Sequence, residues 1–220
     1  MRSLRSRYHL VVLAGYGLGG AALAVGLSAR VPFWWTAVAG AAIPLGALIV
    51  AFLLPTAVAL TGILVRDLCI GHPIEEPGSP DALAICDAIM LRFALFVIGV
   101  HATVLLGVLG MLAGRGWAAQ VVPVMLGLAL ISIGNLLPRT RRNLGIGIRT
   151  RATLTDRAVW VRTHRLTGYL TVTVGLIIVL SAIAVPAPIG RTMVLLVGPA
   201  ALLGTCLLAR YSRTHAHGDR

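Results

Sequence analysis

The sequence carries little charge for its length, and most of that charge has one sign. Of its 220 residues only 12% are charged, 58% are hydrophobic, and the mean hydropathy is +0.91. Lysine is absent, and nineteen arginines stand against seven acidic residues. Because an ordinary soluble domain contains about 25% charged residues, this composition excludes a typical water-soluble fold. We expect a protein embedded in a membrane.

The sequence also lacks the patterns of metal and catalytic sites. Its three cysteines, Cys69, Cys86 and Cys206, fall in no C-x-x-C or other metal-binding spacing, and we interpret them as small packing residues without redox chemistry. Paired carboxylates, H-E-x-x-H, G-x-S-x-G and the P-loop pattern do not occur in the basic segment discussed below. We therefore expect no enzymatic activity, no cofactor and no metal.

Apolar segments of the length needed to cross a bilayer, about 20 residues, occur six times. They cover residues 9–29, 33–65, 88–113, 117–137, 166–185 and 192–208. The second is overlong and contains Pro44 and Pro55, which predicts either a tilted, kinked helix or a helix with one end outside the bilayer. The predicted fold is an all-α, polytopic membrane helix bundle of about six transmembrane helices, which forms a single membrane domain over residues 1–220.

The distribution of arginine predicts the orientation of this bundle. With the N-terminus inside, the inner segments hold sixteen arginines and the outer turns hold three, Arg30, Arg115 and Arg191. Positively charged residues concentrate in cytoplasmic loops, so both termini are predicted to be cytoplasmic, in a multi-pass inner-membrane protein. The same distribution explains the net charge of +12 by anionic lipid headgroups and topology, and we expect no direct contact with nucleic acid.

The most informative stretch is the basic segment 133–168. Asn135 lies near the end of the fourth span, where its amide requires a hydrogen-bond partner, and Pro138 discourages further helix. Gly147 permits backbone conformations that are closed to other residues. Thr153 followed by Asp156 fits a variant capping box and predicts a helix that starts near residue 154.

Helical periodicity then places a small and polar face along the fifth span, and this face should point into the bundle. Its members are Trp160, His164, Gly168, Thr171 and Gly175. Trp160 is expected at headgroup depth, with His164 one turn deeper.

Segment 133–168 resembles the SdpI family of bacterial membrane proteins. The family pattern reads G-N-x-x-P-K/R, then N-x-x-x-G-I-R-T, T-L, V-W and T-H-R-x-x-G. The residues that match it are Gly134, Asn135, Pro138, Arg139, Asn143, Gly147, Ile148, Arg149, Thr150, Thr153, Leu154, Val159, Trp160, Thr163, His164, Arg165 and Gly168. Arg151 and Ala152 stand where the family usually has Pro-Trp. The resemblance implies a protein of immunity or signal-transduction type, whose partner is a peptide toxin or a cytoplasmic regulator protein.

From these observations we predict one binding site at the cytoplasmic mouth of the bundle. The binding residues are expected to be Asn135, Arg139, Arg142, Asn143, Arg149, Thr150, Trp160, His164 and Arg165, supported by Gly134, Pro138, Gly147, Thr153 and Gly168. Arg149 is predicted to point inward, toward Asn135, Asp156 or an anionic ligand, because a buried unpaired guanidinium would be costly.

Several alternatives remain open at this point. The arginine cluster either binds a specific anionic lipid, peptide or partner protein, or serves as a topology determinant in contact with anionic headgroups. His164 is either a ligand or proton-transfer group, or a structural histidine that ties the loop to the helix. His101, inside the third span, is either functional or a bridge between helices. The alternative function is a small transporter or lipid-handling protein that uses the same pocket.

Overall fold

The computed structural model describes residues 2–28, 45–71, 80–108 and 117–184, together with residues 204, 207, 208, 210 and 211. Regular secondary structure within these ranges is helical, and they contain no strand. The prediction of an all-α fold is therefore confirmed.

Within the described residues, five long helices and two short ones follow one another along the chain. They are α1 (Arg2–Ser28), α2 (Leu45–Gly71), α3 (Pro80–Val108), α4 (Trp117–Gly134), a 3-10 helix (Leu137–Arg139), α5 (Arg151–Thr155) and α6 (Arg157–Ala184). All five long helices have the length and apolar composition needed to cross a membrane. The predicted sixth span, 192–208, lies largely outside the described residues, of which 204, 207 and 208 are helical.

Four helices extend beyond the spans predicted for them. Helix α1 begins at Arg2 and α3 at Pro80, whereas their spans were predicted from residues 9 and 88. Helix α2 continues to Gly71, through Arg66 and Asp67, and α6 begins at Arg157 although its span was predicted from residue 166. The prediction ended each span at its charged residues. Long arginine side chains can instead reach the polar interface from within a helix, so the helical backbone continues past them.

Helices α1, α2 and α3 pack around one hydrophobic core. Its buried members are Tyr8, Val12, Val58, Met90 and Ala94. The hydroxyl of Tyr8 donates to the carbonyl of Val58, which joins α1 to α2. These three helices therefore form one packed group.

Helices α4 and α6 pack against each other through two pairs of glycines. A Cβ atom at Gly168 would lie 2.8 Å from the carbonyl oxygen of Gly134, and one at Gly175 would lie 2.6 Å from that of Gly127. Both pairs have the same spacing along their helices, so the backbones touch at two successive points. Small residues permit such close approach in membrane bundles, and this contact fixes where the chain leaves α4 and enters α6.

The loop between α4 and α6 lies at the same end of the bundle as the C-terminal end of α2. A Cβ atom at Gly145 would lie 2.7 Å from the carbonyl oxygen of Val65 and would also contact the sulfur of Cys69. Cys69 in turn lies 3.0 Å, sulfur to sulfur, from Cys86 near the start of α3. The loop is thus seated on the ends of α2 and α3.

Candidate functional site

The motif loop, defined here as residues 135–150, begins with a tight turn after α4. Pro138 stands in the first turn of the 3-10 helix, where its missing N–H costs nothing. Asn135 is exposed, and its side chain makes no hydrogen bond to the described residues. The structure therefore leaves Asn135 outside the cluster that it was predicted to join.

Trp160 anchors the beginning of the motif loop to α6. Its side chain is 1% exposed, and its indole Nε1–H donates to the carbonyl of Thr140 at 2.8 Å. The Thr140 hydroxyl donates in turn to the carbonyl of Leu137 at 2.7 Å. Because the buried indole N–H has a partner, Trp160 supplies both apolar area and a fixed attachment point.

His164 holds the other end of the motif loop. Its side chain is fully buried and stacks on the ring of Trp160, with centroids 3.9 Å apart and an interplanar angle of 18°. The N–H of Ile148 donates to His164 Nε2 at 3.1 Å, and His164 Nδ1 lies 2.9 Å from the carbonyl oxygen of Trp160. Since Nε2 accepts, the proton must reside on Nδ1, which donates to the carbonyl. The imidazole is neutral, and both of its nitrogens are engaged by the main chain.

Gly147 allows the backbone to pass directly over His164. Its φ is +114°, a conformation that L side chains rarely adopt. A Cβ atom there would lie 3.0 Å from His164 Cδ2 and still closer to Nε2. The close approach places the next N–H, that of Ile148, in range of the imidazole, so this position requires glycine on two independent grounds.

Asn143 shapes the middle of the motif loop. Its side-chain oxygen accepts the N–H groups of Gly145 at 2.8 Å and Ile146 at 2.7 Å, while its amide nitrogen donates to the carbonyl of Arg141 at 2.7 Å. The thiol of Cys69 lies 3.7 Å from the same oxygen. Asn143 is 7% exposed, and its hydrogen bonds replace backbone pairing in a loop that is too tight to form it.

The end of the motif loop carries a reciprocal capping box, three residues earlier than predicted. Thr150 is the N-cap of α5, its hydroxyl accepts the N–H of Thr153, and the Thr153 hydroxyl accepts the N–H of Thr150. The prediction that Thr153 starts the helix is wrong, because Thr153 occupies the third helical position and also donates to the carbonyl of Ile148 at 2.8 Å. Asp156 caps the following helix instead, accepting the N–H of Ala158 at 2.7 Å.

Most of these residues belong to a segment that matches a known protein family. Residues 139–209 match the family model of the SdpI/YfhL protein family. The resemblance predicted from the motif is confirmed. No curated protein and no solved structure matches the chain.

Most arginines of the SdpI/YfhL segment point away from this interior. The exposed ones are Arg139, Arg141, Arg149, Arg151, Arg157, Arg162 and Arg165. Arg142 is half-buried and donates to the carbonyls of Leu154 at 3.4 Å and Thr155 at 3.0 Å, which ties the motif loop to α5.

The inward orientation predicted for Arg149 is wrong. Arg149 is exposed, and its guanidinium donates to the carbonyl of Leu144 within the same loop. The physical reason is that His164 already occupies the space beneath the loop and binds the main chain there, so the side chain that follows Ile148 turns outward. Neither Asn135 nor Asp156 is its partner.

The structure adds residues that the sequence did not single out for the site. Thr140 offers the carbonyl for Trp160, and Cys69 is the residue of α2 whose sulfur Gly145 approaches. The chemistry of this arrangement is main-chain stabilisation: the buried side chains of Thr140, Asn143, Trp160 and His164 bond the backbone, and Arg139, Arg141 and Arg149 of the motif loop are exposed.

Proposed function

We propose that this protein is a non-enzymatic membrane protein of immunity or signalling type in the bacterial inner membrane, whose motif loop binds an acidic group of a peptide or partner protein. The observation that carries the proposal is the division of labour in the loop. Its buried polar side chains form hydrogen bonds with the main chain and hold the loop in place. Its arginines are exposed on the surface of this fixed loop.

A rigid frame favours recognition of a defined group over diffuse contact with lipid. Guanidinium binds carboxylate or phosphate in a forked, two-bond geometry, which depends on where the arginine is held. Attraction to anionic headgroups depends mainly on charge and would not require the buried framework of Trp160, His164 and Asn143. Arg139 and Arg149 are exposed and match the family pattern, so we place them in the binding surface.

The side of the membrane follows from the arginine distribution and has its own test. We expect reporter fusions at Gly78 and Arg220 to lie in the cytoplasm, and fusions after Arg115 and Arg191 to lie outside. The opposite pattern would place the motif loop outside the cytoplasm and would contradict the proposal.

The binding surface is tested by exchanging arginine for lysine, which keeps the charge and loses the fork. We expect an Arg139→Lys/Arg149→Lys variant to insert and melt like the wild type, yet to fail in complementing a deletion strain under envelope stress. Arg7→Lys, an exposed change on α1, is the matched control and should complement.

A binding measurement separates a peptide from a membrane as the partner. The protein in nanodiscs of zwitterionic lipid should bind a fluorescent poly-glutamate peptide, and the double variant should bind it more weakly. Full complementation and unchanged peptide binding by the double variant would contradict the proposal. Retention on anionic vesicles alone would favour the headgroup interpretation.

One observation favours the second candidate, a small transporter or lipid-handling protein. His101 lies inside the span of α3, is fully buried, and neither of its ring nitrogens has a partner among the described residues. Ionisable groups within the membrane commonly mark transport pathways. If His101→Ala abolishes complementation and Arg149→Ala leaves it intact, the transporter takes precedence; we expect the reverse.

A further inference from the structure

A cavity of about 240 Å³ opens between α1, α2 and α3, apart from the motif loop's arginines. It lies where the start of α1, the end of α2 and the start of α3 meet. Its floor contains the buried residues Tyr8, Val12 and Met90, and Ala59 and Gly62 form the wall on α2. The floor is therefore apolar and preformed.

The shape of the floor depends on the contact between Tyr8 and α2. The Tyr8 hydroxyl donates to the carbonyl of Val58, and Gly62 leaves room for the ring because a Cβ atom there would overlap it. A side chain held at both its ring and its hydroxyl cannot swing into the cavity. The volume is thus a fixed feature of the packing.

The mouth of the cavity carries two cations and two anions. Arg66 and Asp87 form an ion pair at 3.0 Å, with side-chain exposures of 30% and 17%. Arg5 and Asp67 also line the mouth, both are exposed, and neither forms an ion pair within the described part of the chain. At the mouth, Arg5 and Asp67 are therefore one cation and one anion outside the ion pair Arg66–Asp87.

The cavity is open toward the lipid-facing side of α2. Ile63 lines it and is 58% exposed, and its neighbours Leu60 and Leu64 are exposed as well. In a membrane bundle such apolar exposure faces hydrocarbon. A ligand can therefore enter sideways from the bilayer, with an apolar part against the floor and a polar part at the mouth.

We propose that this cavity is a binding site for a zwitterionic phospholipid, whose acyl part lies against Tyr8, Val12 and Met90. Its phosphate binds Arg5 and its ammonium group binds Asp67. Charge complementarity selects this class: an anionic head would meet Asp67 and Asp87, and a purely cationic head would meet Arg5 and Arg66. The proposal does not rest on the function of the motif loop.

Native mass spectrometry of the purified full chain tests the site with two short-chain lipids of equal acyl length, phosphatidylethanolamine and phosphatidylglycerol. We expect the wild type to prefer phosphatidylethanolamine. Ala59→Leu, which fills the cavity, should remove that binding. Ala57→Leu, the same change on an exposed position of α2, should leave it intact.

Asp67→Asn provides a test that is independent of cavity filling, since Asp67 is exposed and its change leaves the packing unaltered. Loss of one contact between exposed charges weakens binding by about 1.4-fold to fivefold, so the preference for phosphatidylethanolamine should fall by that factor. Equal binding of both lipids by the wild type, wild-type binding by Ala59→Leu, or an unchanged preference in Asp67→Asn would each overturn the proposal. None of these outcomes bears on the poly-glutamate measurement at Arg139 and Arg149.

Discussion

Replacing Gly147 by alanine should weaken the attachment of the motif loop to α6 and destabilise the protein. The residue has a φ of +114°, and forcing a residue with a Cβ into such a conformation costs about 1–3 kcal/mol. The new Cβ would also lie 3.0 Å from His164 Cδ2 and closer to Nε2, so the bond from Ile148 N–H must lengthen or break. Leaving that buried donor and acceptor unpaired costs a further ~1–3 kcal/mol. Together these give a destabilisation of roughly 2–6 kcal/mol.

The matched control is another glycine-to-alanine change. Gly17 lies on an exposed position of α1, and a Cβ atom there would meet nothing within 4 Å. Gly17→Ala should be neutral or stabilise by up to about 1 kcal/mol, because alanine favours helix. Both variants would be unfolded in mixed detergent micelles and followed by tryptophan fluorescence, to which Trp160 beside His164 contributes together with the three other tryptophans of the chain. Equal unfolding midpoints for Gly147→Ala and the wild type would refute the assigned role of Gly147.

Three further predictions concern other contacts. Arg151→Pro should raise the free energy of unfolding by about 0.4–1 kcal/mol, since this first position of α5 suits proline and Thr150 before it is already extended at ψ 161°; a lower melting temperature would contradict this. Gly168→Val should destabilise by about 1–3 kcal/mol, because a Cβ there lies 2.8 Å from a carbonyl of α4, and unfolding in detergent measures it. Cys69 and Cys86, with sulfurs 3.0 Å apart, should form an intramolecular disulfide on treatment with diamide, seen as a mass loss of two hydrogens that Cys86→Ala abolishes.

Local patterns predicted the helices and the inward face of α6 well. The spans follow from hydropathy along the chain, and the burial of Trp160, His164, Gly168 and Gly175 follows from helical periodicity. Both are properties of neighbouring residues, so the sequence contains them directly. The predicted start of α5 was wrong because Thr150 and Thr153 both offer a capping hydroxyl, and only the structure shows that they cap each other.

Contacts between distant segments could not be read from the sequence. The outward direction of Arg149 depends on His164 occupying the space below the loop, and the meeting of Cys69 with Cys86 depends on how α2 and α3 approach each other. The repeated glycine spacing in α4 and α6 is present in the sequence, yet its pairing depends on the register of the two helices. Whether the predicted residues bind a ligand stays a prediction.

The close contact of Gly145 with α2 couples the motif loop to the movement of the helices. At this point the motif loop touches Val65 and Cys69, while Trp160 and His164 hold both of its ends on α6. The loop therefore contacts both the α1–α3 group and the α4–α6 pair and connects them. Sliding of one helix group against the other would therefore displace the motif loop and change the spacing of its exposed arginines.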